Sequence, residues 1–297
     1  MSAFRVAMRA ALMLVLVALV VPAATVRPTT ISLSRGETAK AVDFEDGVVW
    51  VLVLGRDDEG DTDTIELLAF DGDTGAAAGI GIPRDSWVRL PNGPARINQA
   101  WSEGGGGQGG AELAARTVGD LVGIDPDFVL VTGFEGFLEM SEAVGEVTVR
   151  SPLAFDSDQG MAVERGLNSF NAQQALDFAS SRDHLPRSDF DRMANNQALL
   201  LGYLRSLQAH ENETGFMEDV TLAALGGLET DLPPTDLYRL AQAITQVDPN
   251  RVTGCLVLGR PFTTRGGADV IDANEQLARR FGRDADRDAT LDPGCRG

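Results

Sequence analysis

The sequence predicts an α/β fold (α-β-α layered) in which a mixed β-sheet is covered by helices. Three short apolar runs are each bounded by Gly, Asp or Pro, and such runs are typical of buried strands: Val48–Leu54, Ile65–Phe70 and Ala76–Ile82. After them, segments with helical spacing alternate with short strand-like segments, as in other α/β domains. No internal repeat and no second boundary interrupts this pattern, so a single domain is predicted over residues 47–281.

Helices are predicted where apolar residues recur at helical spacing between breaker residues. They cover residues 111–122, 134–144, 171–180, 189–208, 216–228, 235–247 and 272–281. Asp189 is predicted to cap the longest of them. Further strands are predicted at 128–132, 147–149 and 251–258. Six glycines within residues 104–110 predict a segment that is flexible or closely apposed to another part of the chain.

The N-terminus has the pattern of an export signal. Arg5 and Arg9 precede an unbroken apolar run, Ala10–Val21, which ends at Pro22. A basic flank before an apolar run is typical of a signal anchor or a cleaved secretory signal, whereas a buried N-terminal helix is the alternative. We therefore expect residues 1–26 to be a membrane segment and residues 27–46 a linker. The remainder is expected on the extracytoplasmic side of the cell membrane, or secreted if the segment is cleaved.

The composition narrows the class of partner. The 297 residues include 44 Asp and Glu against 25 Lys and Arg, which gives a formal net charge of −19. Such a chain repels nucleic acid, so no nucleic-acid partner is expected.

Cys255 and Cys295 fit an exported protein with one disulfide, the alternative being two unpaired thiols. Residues 282–297 are rich in Asp and Arg and are predicted to form a mobile tail.

An acidic loop joins the first two predicted strands. Asp57 ends one strand and Asp63 begins the next, so both carboxylates could reach one cation above the sheet edge. Hard cations such as Mg²⁺ prefer oxygen ligands of this kind. The alternative is a solvated acidic turn, and the spacing alone does not exclude it.

Two arginines occupy positions that suit an anion. Arg84 follows Pro83 at the end of the third strand, where it could bind a phosphate or instead pair with Asp85 or the acidic loop. Arg192 falls in the first turn of a predicted helix. A cation is mildly unfavourable there, so Arg192 is expected to serve a ligand or partner.

A second acidic motif offers a competing hypothesis. The stretch Leu67–Thr74 has the hhhhDxDxT form of a phosphatase nucleophile motif, in which Asp71 would attack phosphorus. Gly75 and an Ala-Gly run follow directly, however. This favours a tight hairpin between two strands.

Five stretches in the same order resemble the LytR–CpsA–Psr family of exported cell-envelope proteins. They lie between about Val48 and Arg205 and read VLVLGRDDEGDTDTIELLAFD, IGIPRDSWVRLP, ARINQAWSEGG, LVGIDPDFVLVTGFEGFLEMSEAVGEVTV and LNSFNAQQALDFASSRDHLPRSDFDRMANNQALL. The resemblance implies a transferase that moves a phosphate-linked glycopolymer from a polyprenyl pyrophosphate carrier to peptidoglycan. It also implies a Mg²⁺-supported pyrophosphate site beside an apolar lipid pocket.

Carried over by motif, the resemblance assigns roles to individual residues. Asp57 and Asp63 correspond to the metal-side carboxylates, one of which could also act as general base, and with Arg84 they form the implied catalytic set. The implied pyrophosphate-binding residues are Arg84, Arg96, Arg182, Arg192 and Gln197. A peptidoglycan hydroxyl would attack the sugar-linked phosphorus, and polyprenyl phosphate would leave.

The same motifs show departures from the family pattern. Asp61, Ser180 and the pair Asn195-Asn196 stand where arginines are usual, and Arg56 or Arg187 are the candidates to replace them. Each charge-assisted contact to a phosphate contributes ~1.5–3 kcal/mol. The losses motivate an alternative function, namely a non-catalytic member that binds polyprenyl phosphate or an envelope polymer as a scaffold or regulator.

Overall fold

The computed structural model describes residues 47–57, 60–230 and 232–292. The predicted membrane segment (1–26), the predicted linker (27–46) and Cys295 lie outside these ranges. Among the residues that the structure describes, no helix is long and apolar enough to cross a membrane. Cys255 is disulfide-bonded and lies buried in the core.

A five-stranded mixed sheet forms the centre of the domain, as predicted. Its strand order is β11-β3-β2-β1-β6. β1, β2 and β3 pair antiparallel as consecutive hairpins, whereas β6 runs parallel to β1 and β11 parallel to β3. These strands are β1 (Val48–Arg56), β2 (Thr62–Asp71), β3 (Ala76–Gly81), β6 (Phe128–Thr132) and β11 (Val252–Leu256).

The described residues also contain four two-stranded sheets, β4–β5, β7–β10, β8–β9 and β12–β13. Most of these strands escaped prediction because they are short and rich in Gly, Pro or polar residues, with little apolar alternation. Their bounds are β4 (Trp87–Leu90), β5 (Gly93–Arg96), β7 (Val147–Ser151), β8 (Phe155–Asp156), β9 (Ala162–Val163), β10 (Gly166–Phe170), β12 (Gly259–Thr263) and β13 (Asp269–Ala273).

Helices cover both faces of the central sheet. They are α1 (Gln99–Glu103), α2 (Gly107–Val122), α3 (Phe134–Val144), α4 (Ala172–Ser180), α5 (Asp189–His210), α6 (Phe216–Gly227), α7 (Pro234–Thr245) and α8 (Glu275–Asp288). On one face, Leu52, Leu67 and Ile80 pack with Val118 of α2 and Phe281 of α8. On the other face a smaller apolar cluster packs under α7 and leaves room for the pocket described below.

The C-terminal region differs from its prediction. β13 occupies residues 269–273, so the helix begins at Glu275 rather than at residue 272, and it continues past residue 281 to Asp288. The prediction of a mobile tail from Gly282 is therefore wrong for residues 282–292, where Ala285 and Leu291 are buried in the core. A narrow stripe of small residues on a highly charged helix hid this packing from the sequence pattern.

Helix starts show which local signals were reliable. Asn171 caps α4 in a capping box with Gln174, so the helix itself begins at Ala172. The predicted capping role of Asp189 is wrong, because Ser188 occupies the N-cap of α5 and makes no side-chain capping bond.

The glycine-rich segment, residues 104–110, packs closely against itself. A Cβ on Gly104 would lie 2.4 Å from the backbone oxygen of Gly109.

A close contact between α3 and α6 gives a stability prediction. A Cβ on Gly136 would lie 2.1 Å from the carbonyl oxygen of Gly227, a backbone atom that cannot rotate away. Gly136→Ala is therefore expected to lower the free energy of unfolding by about 1–3 kcal/mol in urea titrations. Gly226→Ala is the matched control, because its Cβ would meet only a carboxylate oxygen of Glu139 at 3.3 Å. Equal effects of the two changes would contradict the proposed contact.

Candidate functional site

A pocket opens between the sheet and helices α3, α4 and α5. It contains about 800 Å³ of empty space, part of it open to solvent. Side chains on one face of a strand alternate with those on the other, so β1 contributes Val53 and Gly55 and β2 contributes Thr64 and Glu66, with Arg56 and Asp63 added at the strand ends. The wall is mostly apolar and includes Val53, Phe134, Phe137, Leu176, Ala179, Leu199 and Leu200. A long apolar ligand segment therefore suits this pocket better than a polar one.

Asp63 lies at the pocket mouth and contacts two arginines. Its carboxylate is ion-paired with Nη1 of Arg84. Nη2 of Arg192 donates to the backbone oxygen of Asp63 at 2.9 Å, and Nη1 lies 3.5 Å from its carboxylate. Nη2 of Arg192 also donates to Asp189, one turn earlier on α5. Residues 129 positions apart in the chain thus meet at one point.

The charges at the mouth are arranged for an anion. The pKa of Arg84 is lowered, first by burial and then by the charge of Arg192, with Arg182 contributing in the same direction. Asp85 and Asp189 oppose this by raising the pKa of Arg84. An anionic ligand would offset the repulsion among the three guanidinium groups.

Several polar atoms at the mouth lack partners within the described part of the chain. They are buried, and they are Nε of Arg56, Nε of Arg84, Nε of Arg192 and Oδ1 of Asn196. Buried donors without an acceptor are rare in native structures and point to a missing ligand. Three of the four are guanidinium N–H groups, so oxygen atoms of an anion are the acceptors they fit.

The remaining predicted pyrophosphate-binding residues fall in different places. Arg182 lies in the loop after α4, close enough to affect the pKa of Arg84. Arg96 is directed towards the β12–β13 hairpin, where it pairs with Asp85 at 3.0 Å and donates to the backbone oxygen of Asp269. Gln197 contacts Glu66 in the pocket wall. Arg192 and Arg182 therefore both act on Arg84, whereas Arg96 pairs with Asp85 and is not among the charges that shift the pKa of Arg84.

The two proposed replacements for the missing arginines behave differently. Arg56 lines the pocket, pairs with Glu229 and lies 5.2 Å from the ring of Trp101. Arg187 instead pairs with Asp191 at 2.8 Å on the first turn of α5 and is absent from the pocket wall. Arg56 is thus the arginine that the fold places at the site.

Two acidic residues beside the acidic loop, Asp57 and Asp61, are held by hydrogen bonds. Oδ1 of Asp57 accepts from the backbone N–H of Asp61 at 3.0 Å. The carboxylate of Asp61 accepts from Ser102 at 3.2 Å and from Asn98 at 3.5 Å, so Asp61 is directed towards α1. Asp61 stands where the motif usually has an arginine, but its carboxylate is hydrogen-bonded to Ser102 and Asn98 and does not line the pocket.

The loop offers a partial set of metal ligands. Within the described ranges no group of three or more His, Cys, Asp or Glu side chains could hold a metal ion. Mg²⁺ is commonly bound through one or two carboxylates together with substrate phosphates and water. Asp57 directly follows β1 and Asp63 lies near the start of β2, so two carboxylates are available at this end of the sheet, and that of Asp63 pairs with Arg84 and Arg192.

Glu66 is a site residue that the sequence analysis missed. It is 1% exposed, lies in the pocket wall and accepts a hydrogen bond from Nε2 of Gln197 at 3.2 Å. Burial raises its pKa to about 8, and the hydrogen bond from Gln197 opposes the rise. The available signal was a glutamate in the middle of an otherwise apolar strand, IELLAF.

Asp71 forms a turn rather than a catalytic site. Its Oδ1 accepts from the backbone N–H groups of Asp73 and Thr74 at 2.9 and 3.0 Å, which closes the hairpin between β2 and β3. The hairpin interpretation is confirmed. Asp71 also stands at the far end of β2, about 25 Å from Asp63 at the usual rise of a strand.

Comparisons with known proteins agree with this architecture. The model of the LytR_cpsA_psr family matches residues 20–281. A protein of Oceanobacillus iheyensis named polyisoprenyl-teichoic acid–peptidoglycan teichoic acid transferase TagU is 30% identical over 249 residues, 79% of this chain and 74% of that protein. A protein of the same name from Bacillus cereus (strain ZK / E33L) is 26% identical over 196 residues, 64% of this chain and 62% of that protein.

Solved structures share the fold. The crystal structure of B. subtilis TagV superposes with a TM-score of 0.68 at 21% identity, covering 80% of this chain and 96% of that one. TagT bound to LIIa-WTA has a TM-score of 0.68 at 22% identity, covering 86% and 97%. At these identities the superpositions establish the α/β fold with its mixed, helix-covered sheet.

Proposed function

This chain belongs to the LytR_cpsA_psr family, and from that premise we propose that it transfers a phosphate-linked glycopolymer from a polyprenyl pyrophosphate carrier to peptidoglycan. One observation carries the proposal: an arginine-lined mouth opens directly into an apolar pocket. A polyprenyl pyrophosphate has the same two parts, an anionic head and a hydrocarbon chain. The relatives named above support the reaction class, since their names describe transfer of teichoic acid to peptidoglycan.

The arginines bind and orient the head group. Arg84 and Arg192 both pair with Asp63, and phosphate oxygens would take over some of those contacts. Arg56 and Arg182 add charge at the rim. Charge stabilisation and positioning supply most of the catalysis in phosphoryl transfer.

The apolar wall fixes the lipid and thereby the reacting phosphorus. With the chain in the pocket, the sugar-linked phosphate is held at the mouth, where an acceptor hydroxyl can approach from solvent. The hydroxyl oxygen forms a bond to that phosphorus, the bond to the bridging oxygen breaks, and polyprenyl phosphate leaves with the electron pair. One of the two carboxylates, Asp57 or Asp63, accepts the hydroxyl proton.

Two further parts of the proposal concern the metal and the location. Asp57 and Asp63 would hold Mg²⁺, which supplies neutralisation of pyrophosphate charge when bound. The apolar run at the N-terminus would anchor the chain in the cell membrane with the domain on the extracytoplasmic side, where both the lipid carrier and peptidoglycan are accessible. A non-catalytic scaffold receives no support from the relatives, which are named as transferases.

A reconstituted assay tests this function. Full-length protein, lipid-linked glycan, peptidoglycan and Mg²⁺ are incubated together, and released polyprenyl phosphate and peptidoglycan-bound glycan are measured. We expect transfer that stops when EDTA removes the metal and resumes when Mg²⁺ is returned. Tight lipid binding without transfer would favour the scaffold instead, and transfer that persists in EDTA would refute the metal proposal alone.

A further inference from the structure

Glu66 is a buried carboxylic acid in the wall of a pocket that is mostly apolar. It lies in the middle of β2 and is 1% exposed. Resting on the proposed function, we propose that Glu66 is a specificity-determining residue of this pocket. While Glu66 carries its proton, the pocket accepts an apolar polyprenyl chain, and once Glu66 loses that proton the chain is expelled.

The fold makes a specific space for this side chain. A Cβ on Gly81 of β3 would lie 2.9 Å from Oε1 of Glu66, and one on Gly79 would lie 3.9 Å from Oε2. A Cβ on Gly254 of β11 would lie 2.4 Å from Oε1 of Gln197. Glycines on the neighbouring strands β3 and β11 therefore leave the space that the Glu66–Gln197 pair occupies. Side chains at Gly81 or Gly254 would fill that space.

Gln197 holds the carboxyl group in place. Its Nε2 donates both to Oε2 of Glu66 and to the backbone oxygen of Cys255, each at 3.2 Å. The amide is thus fixed between two strands of the sheet. The orientation of the carboxyl group towards the pocket is consequently set by the sheet and by α5 together.

Burial, rather than a neighbouring charge, raises the pKa of Glu66. Charged or titratable pocket-wall groups on the surrounding elements are Arg56 on β1, Asp63 on β2, and Arg192 and Tyr203 on α5. From α3 and α4, the pocket receives only apolar or uncharged polar side chains. The pKa of Glu66 is raised to about 8 by burial, with the Gln197 hydrogen bond opposing it and no charge among the causes.

An apolar chain and an ionised Glu66 exclude each other. Because Glu66 is 1% exposed, its ionised carboxylate must draw water into the pocket beside it, since burying an unpaired charge in an apolar site is strongly unfavourable. A chain that fills the pocket removes the water that such hydration needs. By linkage, affinity for the chain then falls about tenfold for each pH unit above the pKa of the free protein.

Binding measurements on the full-length protein in detergent micelles test this inference. The probes are a short polyprenyl monophosphate and inorganic phosphate, each titrated calorimetrically at about pH 7.5 and about pH 9.5. For the wild type we expect polyprenyl affinity to fall roughly twentyfold between these pH values. Glu66→Gln cannot ionise at this position, so its affinity for the polyprenyl probe is expected to be the same at both pH values. The affinity for inorganic phosphate is expected to change with pH equally in the wild type and in Glu66→Gln.

The outcomes separate this inference from the proposed function. A polyprenyl affinity that changes equally with pH in the wild type and in Glu66→Gln overturns the inference alone. No polyprenyl binding at either pH overturns the proposed function and the inference with it. Gln197→Met gives a second, independent variant: loss of a hydrogen bond that lowers the pKa of Glu66 should extend chain binding to higher pH. A shift to lower pH would contradict the role given to Glu66.

Discussion

Arg84→Ala is expected to lower kcat/KM for glycopolymer transfer by a factor of about 100–1,000. Removal of one donor that stabilises developing charge in a water-poor site has an effect of this size. Arg84 is half-buried, contacts Asp63 and has an Nε–H without an acceptor among the described residues, so its main remaining partner is the proposed pyrophosphate. Transfer kinetics with the full-length protein measure the effect.

Two further variants distinguish the effect of the guanidinium geometry of Arg84 from the effect of positive charge alone. Arg84→Lys keeps the positive charge but loses the planar fork that binds two phosphate oxygens, so it should restore only part of the activity. Arg116→Ala removes an exposed arginine that pairs with Glu112 on α2, which packs on the other face of the sheet and adds no residue to the pocket wall, so it should leave kcat/KM unchanged. Full activity of Arg84→Ala, with unfolding curves showing a native fold, would exclude Arg84 from the site.

Glu66→Gln is expected to remove a pH dependence from the stability of the protein. Glu66 has a pKa of about 8 in the folded state against an ordinary value of 4.5. Between these values the unfolded chain has released this proton and the folded protein has kept it. The free energy of unfolding therefore falls as pH rises through this window and levels off above about pH 8.

The size of this effect follows from the width of the window. At 1.36 kcal/mol for each pKa unit, the wild type should lose on the order of 4 kcal/mol relative to Glu66→Gln between about pH 4.5 and about pH 8. Urea unfolding of both proteins across that range measures the difference, in which contributions from the two histidines cancel. Glu142→Gln, an exposed change on α3, is the control. Parallel pH curves for wild type and Glu66→Gln would show that Glu66 is ionised in the folded protein.

Local pattern was sufficient for the central elements of the fold. β6 and α3 have the bounds predicted for them, β1 and β2 are a few residues longer than predicted, and β3 is one residue shorter. In these segments apolar periodicity and glycine terminators agree with the tertiary packing. A helix was also predicted in the region of α8, but its bounds were wrong, because the residues that bury it beyond Phe281 are small and sparse among charges.

The site was predictable in part because strand ends collect functional side chains. The position of Arg84 at the end of β3 and of Asp63 at the start of β2 indicated a shared edge, and the structure places them in contact. The departures at Asp61 and Ser180 could not be evaluated from the motif alone. Only the fold shows that Asp61 is directed towards Ser102 and that Arg56 enters the pocket wall.

The sequence by itself determined the fold class, the resemblance to the family and the arginines at strand ends, because these depend on local spacing and on short motifs. Only the tertiary structure decided which charges share a site. Arg192 contacts Asp63 across 129 positions, Arg96 pairs with Asp85, and Glu66 packs against glycines of β3. Burial and proximity set the charge state of these groups. Both depend on sheet register and helix packing, which no single stretch of sequence contains.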